Sequence, residues 1–198
     1  MASSVTRLGP ASEDEMIDAF VRAELHSPRF GAGLRSSLDR LGMSVEFITA
    51  RPSVAGATEA RRQLLADYRG WGRNESVFGG MPGDVEWFWA DLDERVIRER
   101  VFTIHWYFQE TFETRRAQAI AERNKHAGDV SRSQLERAIA DGHVLEPIIL
   151  LGAPDLQRLV VLEGHSRVLS YLANPDLVTF PVRSLVGTSA RISEWSEW

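Results

Sequence analysis

The chain is 198 residues long, 43% hydrophobic and 26% charged, proportions that suit a globular domain able to bury a proper core. Its formal net charge is −5, with Lys and Arg spread through the sequence, which excludes the broad basic field that concentrates proteins on nucleic acid or anionic membranes. There is no cysteine, so disulfides, thiolate zinc sites, iron–sulfur clusters and cysteine nucleophiles are excluded as well.

The first residues, Met1 to Glu15, carry Ser, Gly, Pro and acidic side chains in place of a basic run and an apolar core, so no signal peptide is expected. The apolar runs are far shorter than the roughly 20 residues a membrane helix needs, and a cytoplasmic protein is expected. Ser12 followed by Glu15 has the form of a capping box, and Met16, Ile17, Phe20, Val21 and Leu25 recur at helical spacing, predicting a helix over 13–26. A short helical stretch follows Gly31 and Gly33 and ends at Leu41. Val45-Glu46-Phe47-Ile48-Thr49 has strand composition and stops at Pro52, predicting an edge strand. From Thr58 onward, Ala60, Leu64, Leu65 and Tyr68 predict a further helix that ends at Gly70.

The loop Phe78-Gly79-Gly80-Met81-Pro82-Gly83 lacks the Lys-Ser/Thr ending of a Walker loop and reads as a lid or as a connector between helices. Together with Tyr68, Arg69 and Trp71 it supplies candidates for a substrate pocket. The aromatic-rich segment from Trp87 to Phe112 is predicted to be mainly helical, with helical character running from Leu92 to Lys125. His105, Trp106 and Tyr107 are consecutive and cannot share one helix face, so at least one belongs in the core. The run Glu110, Glu113, Arg115, Arg116, Glu122 and Arg123 reads as a solvated helix face. His126 and His143 have no partner at ligand spacing, and no dedicated metal site is expected. Ser131 or Ser133 would cap a helix through Ile139 that Asp141-Gly142 ends.

Beyond Gly142 the pattern changes. Residues 147–151, 158–162 and 178–185 are predicted strands of one small mixed sheet, the first two joined as a hairpin by Gly152-Ala153-Pro154-Asp155. Between the second and third strands, Val168, Leu169, Tyr171 and Leu172 predict a short helix beginning near His165 and closed by Asn174-Pro175. In the last residues Ile192, Trp195 and Trp198 share one helical face, docking this segment on the core or marking a homodimer contact. The expected class is α+β, with residues 1–140 mainly helical and packed in one compact unit with a sheet unit over 141–198.

The residues with chemical potential meet where the second strand feeds this helix, at Glu163-Gly164-His165-Ser166-Arg167. Such a turn presents the free N–H groups and positive dipole end of a helix to a ligand. Gly164 lets backbone approach closely, Arg167 offers two donors to a phosphate, and His165 is an acid, base or donor. Glu163 orients the arginine, acts as a base or binds magnesium; a purely structural Arg167–Glu163 ion pair is the competing reading.

The order strand, turn, strand, Glu-Gly-His-Ser-Arg, helix, Pro, strand from Leu145 to Val182 resembles the nucleotide-binding core of the ParB and sulfiredoxin superfamily, over about a fifth of the chain. In that superfamily a Gly-x-x-Arg turn opens a helix beneath bound phosphates. The motif is most similar to that of the free serine kinases, whose turn reads Asp-Gly-His-His-Arg. Sulfiredoxins place a catalytic cysteine between the Gly and the His of their turn, where this chain has His165, which excludes sulfinic acid reduction. DNA-partitioning members carry a second arginine where Ser166 stands and add a basic helix-turn-helix domain, for which too few residues follow Leu185.

The resemblance implies a nucleotide-binding enzyme, a kinase-like phosphotransferase acting on a small hydroxylated metabolite. Gly164, Ser166 and Arg167 would hold ATP or ADP, His165 and Glu163 would assist catalysis, and Mg2+ would arrive with the nucleotide. The alternative is a non-catalytic nucleotide-sensing or protein-interaction module. Neither nucleic acid nor membrane is an expected partner. The kinases also use an acidic residue from an earlier strand, which no residue here matches by sequence.

Overall fold

A computed structural model describes residues 4–50, 54–105, 114–123 and 130–198. The chain runs β1 (Val5–Pro10), α1 (Glu13–Leu25), α2 (Gly31–Leu41), α3 (Val45–Thr49), α4 (Ala57–Arg69), β2 (Glu86–Leu92) and α5 (Glu94–Arg100). It continues through β3 (Val101–Phe102), α6 (Ala117–Arg123), α7 (Val130–Ala140), β4 (Ile148–Gly152), β5 (Leu159–Glu163), α8 (His165–Ala173) and β6 (Val182–Thr188). This is the expected α+β class, built on a six-stranded mixed sheet ordered β1-β2-β6-β4-β5-β3. β4 is antiparallel to β5 and parallel to β6.

The sheet is covered on both faces, which explains why β4 and β5 read as unbroken apolar runs. Successive residues of a strand point to opposite faces. Ile149, Leu151, Val160 and Leu162 therefore join Met16, Phe20, Leu38 and Leu64 from α1, α2 and α4. Ile148, Leu150, Leu159 and Val161 instead meet Val96, Ile120, Val168 and Leu172 from α5, α6 and α8. These eight strand side chains are buried, and each gains about 1.5–3 kcal/mol by leaving water.

Several expected elements are present. Ser12 and Glu15 form the capping box of α1, with Ser12 N–H donating to Glu15 Oε2 at 2.8 Å and Glu15 N–H to Ser12 Oγ at 3.2 Å. The hairpin β4–β5, the helix opening at His165 and its closure at Asn174 also lie where expected. The third strand is shifted to Val182–Thr188, with residues 178–181 lying outside it after a 3-10 turn over Pro175–Leu177.

Other expectations are corrected. Val45–Thr49 is a helical turn and not an edge strand: Ser44 Oγ accepts Phe47 N–H at 3.1 Å, and Arg61, buried in α4, donates to Ile48 O at 2.8 Å and to Ala50 O. A cap and a buried tether override β-branched composition there. The segment from Trp87 is not mainly helical. Glu86–Leu92 is a strand between β1 and β6, with Trp87 in one core and Phe88, Ala90 and Leu92 in the other, the alternation of a strand covered on both faces.

After it, Asp93 caps the short α5 by accepting Val96 N–H at 2.8 Å, and β3 interrupts the helical run. Trp106, Tyr107, Glu110, Phe112, Glu113 and His126 lie outside the described residues. α7 begins at Val130, ahead of Ser131 and Ser133. The last residues form a 3-10 turn over Ile192–Glu194 in place of a helix, and Ile192 and Trp195 dock in the core. β1 has no counterpart in the sequence reading.

Candidate functional site

Glu163 is the last residue of β5, and Gly164 turns the chain into α8 with a φ of +102°. Such a φ favours glycine, and here space does too: a Cβ would lie 2.9 Å from both Arg167 Nη2 and Ile148 Cγ2. The Arg167 guanidinium is folded back against the turn. Its Nη2 donates to Glu163 Oε1 at 3.2 Å and to Pro147 O at 3.3 Å, while its Nε is buried without a hydrogen-bond partner. Gly164 brings no side chain to cap α8, and the first N–H groups of a helix have no acceptor within it.

The turn forms one wall of a cavity of about 680 Å³. Glu163, Gly164, His165, Ser166 and Arg167 all line it, so the structure brings together all five residues singled out at the turn. Facing them are Glu24, His26, Arg29 and Phe30 from the α1–α2 junction and Arg69 from the end of α4. Leu135, Ala138, Val144 and Leu145 make an apolar lip along α7 and the loop after it.

His165 is buried and its Nε2 accepts the Ile104 N–H at 3.4 Å. Burial, and then the charges of Arg167, Arg69, Arg115 and Arg29, hold its pKa down at about 3. The imidazole is therefore neutral at physiological pH and a weak base.

Glu24 was not foreseen. It falls on the buried stripe of α1 behind Phe20 and Val21, and a carboxylate at an apolar-face position was the available signal. Only 2% exposed, it accepts from Arg69 Nε at 3.1 Å and from Arg69 Nη2 through Oε1, while Oε2 has no partner. Burial and the nearby charge of Glu163 push its pKa up to about 7 against the pull of Arg69. Arg69 itself is stacked on Phe30 at 4.3 Å and Tyr68 at 4.8 Å.

This carboxyl has a measurable signature. Its pKa rises from 4.5 to about 7 on folding, so its contribution to stability is fully present below pH 4.5 and is lost as pH rises through about 7. His165 acts with the opposite sign, its contribution being lost as pH falls from 6.5 toward about 3. Comparing wild type with Glu24→Gln cancels the His165 effect. The stability difference between the two, measured by urea denaturation from pH 4.5 to 7.5, is expected to move in favour of Glu24→Gln by about 2–3 kcal/mol. Parallel curves would show that Glu24 titrates normally.

Of the other pocket candidates, Tyr68 stands behind Arg69, and Trp71 packs edge-on against Phe78 at 4.8 Å. The glycine loop is tied to the end of the chain by Ser196 N–H donating to Gly79 O at 2.8 Å. Arg115 is not on a solvated face: it is half-buried and its Nε donates to Thr103 O at 2.8 Å. Among the described residues no group of three or more His, Asp or Glu side chains could hold a metal ion, and no helix is long and apolar enough to cross a membrane. Comparisons of the chain with protein-family models, curated proteins and solved structures found no match.

Proposed function

We propose that this chain is a nucleotide-dependent phosphotransferase with a ParB/sulfiredoxin-like core, acting in the cytoplasm on a small hydroxylated metabolite. One observation carries the reading: an uncapped helix N-terminus, opened by Gly164, faces a cavity beside an arginine with a buried, unpartnered donor. The N–H groups of the first turn and Arg167 suit the phosphates of ATP or ADP. Ser166, half-buried on the same wall, adds a hydroxyl donor. Magnesium, supplied with the nucleotide, would neutralise phosphate charge, and Glu163 is the carboxylate at the turn able to meet it.

Opposite the turn, Glu24 has a free oxygen and a pKa of about 7, the range in which a general base works best at neutral pH. In the reaction a metabolite hydroxyl gives its proton to Glu24 as its oxygen bonds to the terminal phosphorus. The bond from that phosphorus to its bridging oxygen breaks and the shortened nucleotide departs. His165, neutral and held by Ile104, serves as a fixed polar group in this scheme, leaving proton removal to Glu24 and Glu163.

The Arg167–Glu163 contact favours a second reading, in which the turn is structural or binds nucleotide without turnover. A melting screen with ATP, ADP, CTP and GTP, each with and without magnesium, tests the first requirement. At a hundredfold excess over Kd a ligand adds about 2.7 kcal/mol, which for a domain of this size raises Tm by about 5–10 °C. A Tm unmoved by all four nucleotides removes the nucleotide reading; a shift without product formed from a metabolite mixture leaves the sensing module.

A further inference from the structure

Glu197 lines the cavity yet belongs to no helix or strand. The segment from Ile192 to Trp198 carries it there and is held at three places. Trp195 is buried and its indole N–H donates to Val77 O at 2.8 Å. Ser196 N–H donates to Gly79 O at 2.8 Å, and a Cβ on Gly80 would lie 2.1 Å from Glu194 O, so the glycine loop is shaped to receive this segment. Arg115 donates to the main-chain oxygens of Glu197 and Trp198, the latter at 3.0 Å.

Held this way, Glu197 Oε2 accepts the His105 N–H at 2.5 Å and lies 3.3 Å from His105 Nδ1. Arg115 Nη1 is 3.2 Å from His105 Nε2. A guanidinium only donates, so Nε2 is the acceptor and the His105 ring proton sits on Nδ1, facing Glu197. One peptide back, Ile104 N–H donates to His165 Nε2 at 3.4 Å.

From this chain of contacts we infer that Glu197 is a positioning residue for the cavity: its carboxylate pins the His105 peptide, keeps the Ile104 N–H on His165 Nε2, and so fixes His165 in the tautomer protonated on Nδ1. A neutral imidazole has one donor and one acceptor nitrogen, and the tautomer decides which character the ring shows at each position. The glycine loop, read from sequence as a lid or connector, acquires a definite role as the seat of the segment that delivers Glu197.

Imidazole nitrogen NMR spectra of wild type, Glu197→Ala and Glu197→Gln, each with a melting curve, test this. Wild-type His165 should be a single neutral tautomer protonated on Nδ1. Glu197→Ala should give His165 nitrogen shifts averaged between tautomers, whereas Glu197→Gln, whose amide oxygen still accepts the His105 N–H, should keep the wild-type pattern. Protonation of wild-type His165 on Nε2 overturns the inference, and so does an unchanged His165 signature in Glu197→Ala. Should the alanine variant not fold, loss of the wild-type tautomer in Glu197→Gln overturns it instead.

The functional half rests on the nucleotide reading. ATP affinity should fall about tenfold in Glu197→Ala, the scale of one lost hydrogen bond, and stay near wild type in Glu197→Gln. If wild type binds no nucleotide, that reading fails while the tautomer result stands. If wild type binds ATP and Glu197→Ala binds it equally well despite an averaged His165, the positioning role falls.

Discussion

Arg167→Ala is expected to weaken ATP binding ten- to hundredfold. The loss of a hydrogen bond between charged groups costs about 1.5–3 kcal/mol, and Arg167 brings a buried Nε with no present partner to spend on a phosphate oxygen. Arg167→Lys should recover only part of the affinity, since the ammonium keeps the charge and loses the planar two-donor edge. Calorimetric titration measures both. Glu163→Ala is the control for the Arg167–Glu163 pair. If Arg167→Ala and Glu163→Ala lower Tm equally while neither changes ATP affinity, the arginine only braces the turn and the phosphate role is lost.

The second large effect concerns rate. Glu24→Gln should slow phosphoryl transfer by about 10² to 10⁴, the range for removing a general base, with little change in ATP affinity. The wild-type rate should also rise with pH through about 7 as the carboxyl ionises, and that limb should vanish in the variant. Product formation from ATP and a pool of hydroxylated metabolites supplies the assay. A variant that retains both the wild-type rate and its pH limb excludes Glu24 as the base.

Legibility of the fold followed how local its causes were. Ser12 and Glu15 announce α1 because a capping box is written within four consecutive residues. The strand, turn and helix around Gly164 were readable for the same reason. Glu86–Leu92 was not, because whether an aromatic run alternates between two cores depends on what covers each face, and those partners lie elsewhere in the chain. β1 failed similarly, pairing with residues some eighty positions away. In the site, the motif residues were visible as a motif. Glu24 and Glu197 were hidden because α1 and the last segment reach the cavity only through tertiary packing.

The insertion of β2 between β1 and β6 also bears on how the protein is made. While the chain emerges from a ribosome, β1 and β2 can pair, but the far edge of β2 has no neighbour until Val182–Thr188 appears. The same late strand supplies the parallel neighbour of β4, so two open edges wait on one seven-residue segment. Unpaired edges are sites of association between chains, and nascent protein is exposed to that hazard from the completion of β2 at Leu92 until Val182–Thr188 is made. Interruptions of translation before Val182 would therefore yield aggregation-prone fragments in place of a smaller folded protein.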